Sequence, residues 1–184
     1  MANKIKYGIK NVYYAVATQG AGGALTYATP APLKGAVSLS LEAQGDTNTF
    51  YADNIAYYTS TANNGYQGDL ELALVPDDFR TAVLGEVLDT KGFYVEKSNV
   101  PQVEFALLFQ FEGDENATKH CLYRCTASRP AVNGQTKEES IEPQTESITI
   151  TAMPRIADEV VKSRCPSTAD DYATWFEAVK EPTA

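Results

Sequence analysis

The 184-residue chain carries one histidine, His120, and three cysteines, Cys121, Cys125 and Cys165. These side chains have the most chemistry to offer: imidazole moves protons near neutrality, and a thiolate beside an imidazole is a nucleophile. Their spacing argues against both uses. Neighbours in a strand point to opposite faces, so a strand at this position sends His120 and Cys121 apart. Cys121 and Cys125 would then share a face, but four residues at about 3.3 Å each hold them roughly 13 Å apart, too far for a disulfide. No CxxC or zinc-ligand spacing joins these four residues, and an odd number of thiols does not suit a disulfide framework. The expectation is an ordinary strand histidine, small buried or edge thiols, and neither metal nor cofactor.

Other motifs with chemical potential read as structure. Asp77-Asp78 and Asp170-Asp171 have the form of acid and base partners, yet both fall in the first turn of an expected helix, where acids complement the dipole. Gly20-Ala21-Gly22-Gly23 lacks the GxGxxG order and a following helix, which leaves a hairpin tip. Asn116-Ala117-Thr118 matches a glycosylation sequon, informative only in a secreted chain. The opening residues, Met1-Ala2-Asn3-Lys4-Ile5-Lys6, run into Tyr7-Gly8-Ile9-Lys10 without the apolar stretch of a secretory signal, so residence in the cytoplasm is expected. No window approaches the run of about 20 apolar residues that crosses a bilayer, so no membrane association is expected. A net charge of −9 and a pI near 4.6 oppose an electrostatic grip on nucleic acid. No catalytic residue is assigned.

The elements that must position these residues follow from pattern. Length, 43% hydrophobic and 21% charged residues suit one folded domain over 1–184. Period-two alternation dominates and predicts a mainly β fold, a β-sandwich or barrel-like body. Val37, Leu39 and Leu41 should face the core, as should Leu70, Leu72 and Leu74; Val103, Phe105, Leu107, Phe109 and Phe111 predict a central strand. Further strands are expected at Lys10–Ala17, Thr47–Ala52, Ile55–Thr59, Gly92–Glu96, His120–Ala127 and Ser147–Met153, with turns at Gly20–Gly23, Asn63–Gly65, Glu112–Asp114 and Asn133-Gly134. A short flanking helix should open at Pro76-Asp77-Asp78-Phe79 and stop at Gly85, with Phe79, Ala82 and Val83 on one face. A C-terminal helix is predicted over 167–180, its packing face being Tyr172, Trp175, Phe176 and Val179.

One stretch fits none of these patterns. Gln44 to Gly65 sets Phe50, Tyr51, Ile55, Tyr57 and Tyr58 among small polar residues. It reads equally as a core hairpin or as an extended arm whose aromatics dock on another subunit.

Several phrases resemble the major tail tube proteins of long-tailed, non-contractile bacteriophages, the siphophages. They are Lys6-Tyr7-Gly8-Ile9-Lys10-Asn11-Val12-Tyr13-Tyr14-Ala15, Gly45-Asp46-Thr47-Asn48-Thr49-Phe50-Tyr51-Ala52-Asp53-Asn54 and Asn64-Gly65-Tyr66-Gln67-Gly68-Asp69-Leu70-Glu71-Leu72. Pro76-Asp77-Asp78-Phe79, Phe105-Ala106-Leu107-Leu108-Phe109-Gln110-Phe111, Arg124-Cys125-Thr126-Ala127-Ser128-Arg129-Pro130 and Thr149-Ile150-Thr151-Ala152 continue the likeness in consistent order. The resemblance implies a structural virion protein, assembled in the host cytoplasm, whose six copies close into rings that stack into a hollow tail tube passing duplex DNA without specific binding. It also implies tape measure, tail terminator and baseplate proteins as partners. It favours the arm reading of 44–65, with Asp46, Asn48, Phe50, Tyr51, Asp53, Asn54, Tyr57 and Tyr58 as candidate inter-subunit or inter-ring contacts. Six copies at −9 sum to −54 per ring, a conduit that would repel DNA. The alternative is a β-sandwich module that binds a host surface or a carbohydrate, separable by whether the chain self-assembles.

Overall fold

A computed structural model describes residues 5–113, 116–136 and 143–182. The strands, in chain order, are β1 (Tyr7–Gln19), β2 (Leu25–Tyr27), β3 (Ala31–Pro32), β4 (Ala36–Gln44), β5 (Thr47–Ala52), β6 (Ile55–Thr61) and β7 (Gly65–Leu72). Helix α1 has α geometry over Asp77–Phe79 and continues as a π turn over Arg80–Leu84. Then come β8 (Val87–Leu88), β9 (Tyr94–Val95), β10 (Phe105–Glu112), β11 (Lys119–Ala127), β12 (Glu146–Ala152) and β13 (Lys162–Cys165).

The chain is mainly β. Nine strands form one antiparallel sheet in the order β2-β1-β10-β11-β12-β7-β4, with β3 added to β1 and β13 to β11. One edge of β11 is divided: its first half pairs with β13 and its last three residues with β12. Strands β1 and β4, far apart in this order, approach one another, so the sheet curls around one of its faces. The β5–β6 and β8–β9 hairpins stand apart as two-stranded sheets.

The reason for this arrangement lies in β10, whose first six residues, Phe105 to Gln110, are all buried. Phe105, Leu107 and Phe109 enter a core built with Leu70, Leu72, Ile148 and Ile150. Ala106 and Leu108 enter a second core on the opposite face with Ala15, Tyr123, Cys165 and Trp175. Helix α1 closes the first core. Phe79, fully buried, meets Tyr14 and Phe105 edge-on at 4.9 and 5.6 Å between centroids, and burying such a ring is worth about 3 kcal/mol. Arg80 donates from one Nη to both Glu146 carboxylate oxygens at 2.9 Å, tying the helix to β12. The helix ends where the sequence places its stop: Gly85 has φ +77, and a Cβ there would lie 2.1 Å from Val100 Cγ1.

Four expectations are corrected. Val37 is exposed because a bulge between Ala36 and Ser38 turns it away from Leu39 and Leu41. Leu74 is 67% exposed, since β7 ends at Leu72 and Val75 fills the core in its place. Cys121 and Cys125 lie on opposite faces, because a bulge sets one residue of β10, Ala106, against two of β11, Tyr123 and Arg124, between the Leu107–Leu122 and Phe105–Cys125 pairs. No C-terminal α-helix forms over 167–180. One 3-10 turn, Asp170–Tyr172, is followed by further turns closed by three-residue bonds such as Glu177 N–H to Thr174 O. Lys119 Nζ donates to the Tyr172 carbonyl at 2.6 Å, anchoring this turn to β11. The irregular path still lays Tyr172, Trp175, Phe176 and Val179 on the second core of this same chain. Strands β2, β3, β8 and β13, two to four residues each, carried no alternation long enough to read. The expected strand at Gly92–Glu96 contracts to β9, and Asp114 of the turn after β10 lies outside the described residues.

The C-terminal segment is latched polarly as well. Tyr123 Oη donates to Lys180 O at 2.8 Å, and buried Arg155 stands 4.8 Å over the Tyr123 ring while pairing with Asp158 and Glu181. The Arg155 guanidinium holds the Asp158 carboxyl below its ordinary value. A depressed carboxylate stabilises the fold above its unfolded pKa, and that contribution is lost as pH falls through the lower folded value. We expect the latch to loosen below about pH 4. Emission from Trp175, the sole tryptophan, should shift to the red there, and Asp158→Asn should produce part of that shift at pH 7.

Candidate assembly surfaces

The β5–β6 hairpin is a direct prolongation of the β4–β7 hairpin. Bonds from Asn64 N–H to Gln44 O at 2.9 Å and from Ala62 N–H to Asp46 O at 3.0 Å carry the ladder across the junction. Gly45 permits the passage: a Cβ there would sit 1.9 Å from Ala62 O. Asn63 Oδ1 accepts from Gly65 N–H at 3.1 Å and sets the return. At the far end Asp53 and Asn54 take φ of +52 and +64, the geometry of a two-residue hairpin turn with both central residues left-handed. These two residues therefore have a local reason to be where they are.

Between root and tip the hairpin projects roughly 20 Å, six residues at about 3.4 Å each. Phe50 faces Tyr58 across the strands, and a register shift beyond that pair inserts Tyr57. Phe50, Tyr51, Ile55, Tyr57 and Tyr58 are 62–71% exposed, and every residue of β6 is exposed. Asp46, Asn48, Asp53 and Asn54 are exposed too. In the monomer these side chains lie outside both cores. A two-stranded ribbon is marginal alone, and aromatics left in water forgo about 1.5–3 kcal/mol of burial each. A contiguous patch of this kind marks a surface that a partner covers.

A second surface contrasts with it. On the outer face of the sheet, β4, β7 and β12 align in three rows: Ser38, Glu71 and Ser147; Ser40, Asp69 and Thr149; Glu42, Gln67 and Thr151. Three of these nine side chains are acids, six are hydroxyls or amides, and none is a cation. They are knitted together, with Thr149 Oγ1 donating to Asp69 Oδ1 at 2.8 Å and Ser38 Oγ to Glu71 Oε2 at 2.8 Å. Hydroxyls from Thr145 and Ser38 hold the Glu71 carboxyl below its ordinary value. Alternation supplied these residue types; the cross-strand register that assembles them was not in the sequence.

The groups singled out for chemistry sit in packing roles. His120 stacks on Phe109 at 5.1 Å and meets Phe111 edge-on at 5.5 Å. Cys121 faces the other core, and burial raises the pKa of all three thiols above the ordinary value. Among the described residues no group of three His, Cys, Asp or Glu side chains is placed to hold a metal ion. Asp77-Asp78 and Asp170-Asp171 occupy first helical turns, and neither pair caps its turn through a side-chain hydrogen bond.

A β-sheet body that holds an aromatic hairpin clear of its own core has the build of a structural subunit. The model of the phage tail tube protein family matches residues 2–178, nearly the whole chain, and the chain belongs to that family. It is a non-enzymatic phage tail component of the virion. No curated protein sequence matches it.

If the hairpin aromatics serve contacts outside the monomer, removing them should leave the monomer intact. Phe50→Ser with Tyr58→Ser should change unfolding stability by no more than about 0.5 kcal/mol, as exposed positions do. Urea denaturation of the dissociated subunit, followed at Trp175, measures this.

Proposed function

We propose that six copies of this chain close into a ring, and that rings stack into the hollow tube through which duplex DNA leaves the particle. The hairpin over 44–65 is the arm that joins one copy to the next, through the candidate contacts Asp46 to Tyr58. The observation carrying this reading is the hairpin itself: ordered, rooted by backbone bonds, and with large side chains that stay outside both cores and mostly exposed. Edge strands add a second means of joining, since the free side of β4 offers backbone donors and acceptors to a neighbour.

The passage is assigned to the outer face of β4, β7 and β12. A wall of carboxylates and hydroxyls without cations repels phosphate and holds no counter-charge to bind it. The net charge of −9 supports the same reading. Tape measure, terminator and baseplate proteins fit as partners at the inside and ends of such a tube.

Two experiments test this. In negative-stain micrographs and light scattering, the intact chain should give rings or tubes of uniform width. A variant with 46–62 replaced by Asn-Gly should keep a folded monomer and give none; tubes from that variant would remove the arm from the contact, and a persistently monomeric intact chain with an open aromatic patch would favour the binding-module alternative. For the passage, Asp69→Lys with Glu71→Lys should slow DNA ejection at least several-fold at low salt without reducing particle number. Unchanged ejection kinetics would place the wall elsewhere.

A further inference from the structure

We infer that the arm of one copy docks in a specific groove of the next, at the open end of the curled sheet beneath β4; this rests on the reading of the arm as an inter-subunit contact. The groove encloses about 380 Å³, room for one or two aromatic side chains. Leu39 and Leu41 of β4 form one wall and Phe109 and Phe111 of β10 the other. Two lysines stand at its rim, each over an aromatic ring: Lys6 Nζ lies 4.6 Å from the Phe111 centroid and Lys162 Nζ 4.2 Å from that of Tyr66. Among the described residues no carboxylate lines it.

The arm has the complementary composition. Between Gln44 and Gly65 the only charged residues are Asp46 and Asp53, and the large side chains are Phe50, Tyr51, Ile55, Tyr57 and Tyr58. An aromatic plug flanked by two acids matches an apolar slot flanked by two lysines, and the lysines are drawn both to carboxylates and to ring faces. Three other grooves fit less well. The one along β1 and β3 also carries two lysines, Lys10 and Lys34, but Lys10 is already paired with Glu112 at 3.9 Å. The one beneath α1 and β11 is lined by Glu96 as well as Lys97 and Arg129. The one beside β2 carries Glu177 and Glu181.

The occupant must come from a second copy. Leu41 lines the groove and Phe50 lies nine residues further along the same hairpin, roughly 30 Å of extended chain. The ladder across Gly45 keeps the arm in line with β4, directing it away from the slot its own strand helps to form. Plug and socket are different surfaces of one chain, so their contact is heterologous, which repeats head to tail and closes as a ring or grows as a filament.

Carbodiimide, which couples a carboxylate to an amine in direct contact, tests this on tails isolated from virions, with mass spectrometry of the linked peptides. The expected product joins Asp46 or Asp53 of one chain to Lys6 or Lys162 of another and disappears in dissociated subunits. Coupling of the arm acids to other lysines, or no coupling at either acid, overturns the groove assignment. The arm reading is judged separately by the 46–62 replacement: if that variant fails to assemble while the acids couple elsewhere, the arm stands and the groove falls. If it assembles normally, both fall.

Discussion

A strand without a solvent face governs this molecule. Because Phe105 to Gln110 of β10 are buried on both sides, the sheet must be covered twice, and each covering has its own source. The first face is enclosed by the sheet curling on itself and by α1, with Phe79 as the wedge between Tyr14 and Phe105. The second face is covered by the chain after β13, which needs no regular helix to do so: Trp175 is 5% exposed, and Lys119, itself nearly buried, stacks between Tyr172 and Phe176. An acidic protein of this size gains a doubly covered sheet at the cost of ordering an irregular tail, offset by the bonds that Tyr123, Lys119 and Arg155 make to it.

The β5–β6 hairpin is built differently from the doubly covered sheet. In β5 and β6 five large side chains stand exposed together, none of them in either core. The hairpin keeps its shape through backbone devices: the ladder across Gly45, the Asn63 return and the left-handed pair Asp53-Asn54. An arm ordered before contact loses less conformational entropy when it is covered than a disordered segment would. Pre-shaping is thus a property of the monomer.

Much of this was legible from residue order. Alternation found the long strands, and Pro76 and Gly85 bracketed α1, because those signals are local and backbone-imposed. What escaped depended on partners distant in sequence. The bulges in β4 and β11, which turned Val37 outward and parted Cys121 from Cys125, arise from cross-strand register. The 3.6-residue period picked out side chains that reach the second core, Trp175 buried and Tyr172, Phe176 and Val179 partly so, yet the backbone there runs in turns, anchored by Lys119 some fifty residues earlier, and not as an α-helix. The aromatic content of 44–65 left core and arm equally open until topology separated that hairpin from the sheet. The three polar rows on β4, β7 and β12, and the lysines above Phe111 and Tyr66, were invisible for the same reason: each draws on strands far apart in the chain.

The buried thiols bear on how long the particle lasts. A virion tail spends its working life outside any cell, in air-saturated surroundings without a reducing pool. Oxidation and disulfide exchange proceed through the thiolate, and Cys121, Cys125 and Cys165 are buried and kept protonated by the apolar cores around them. Subunits so built keep one covalent structure in oxygen, free of cross-links that would tie neighbouring chains together at random.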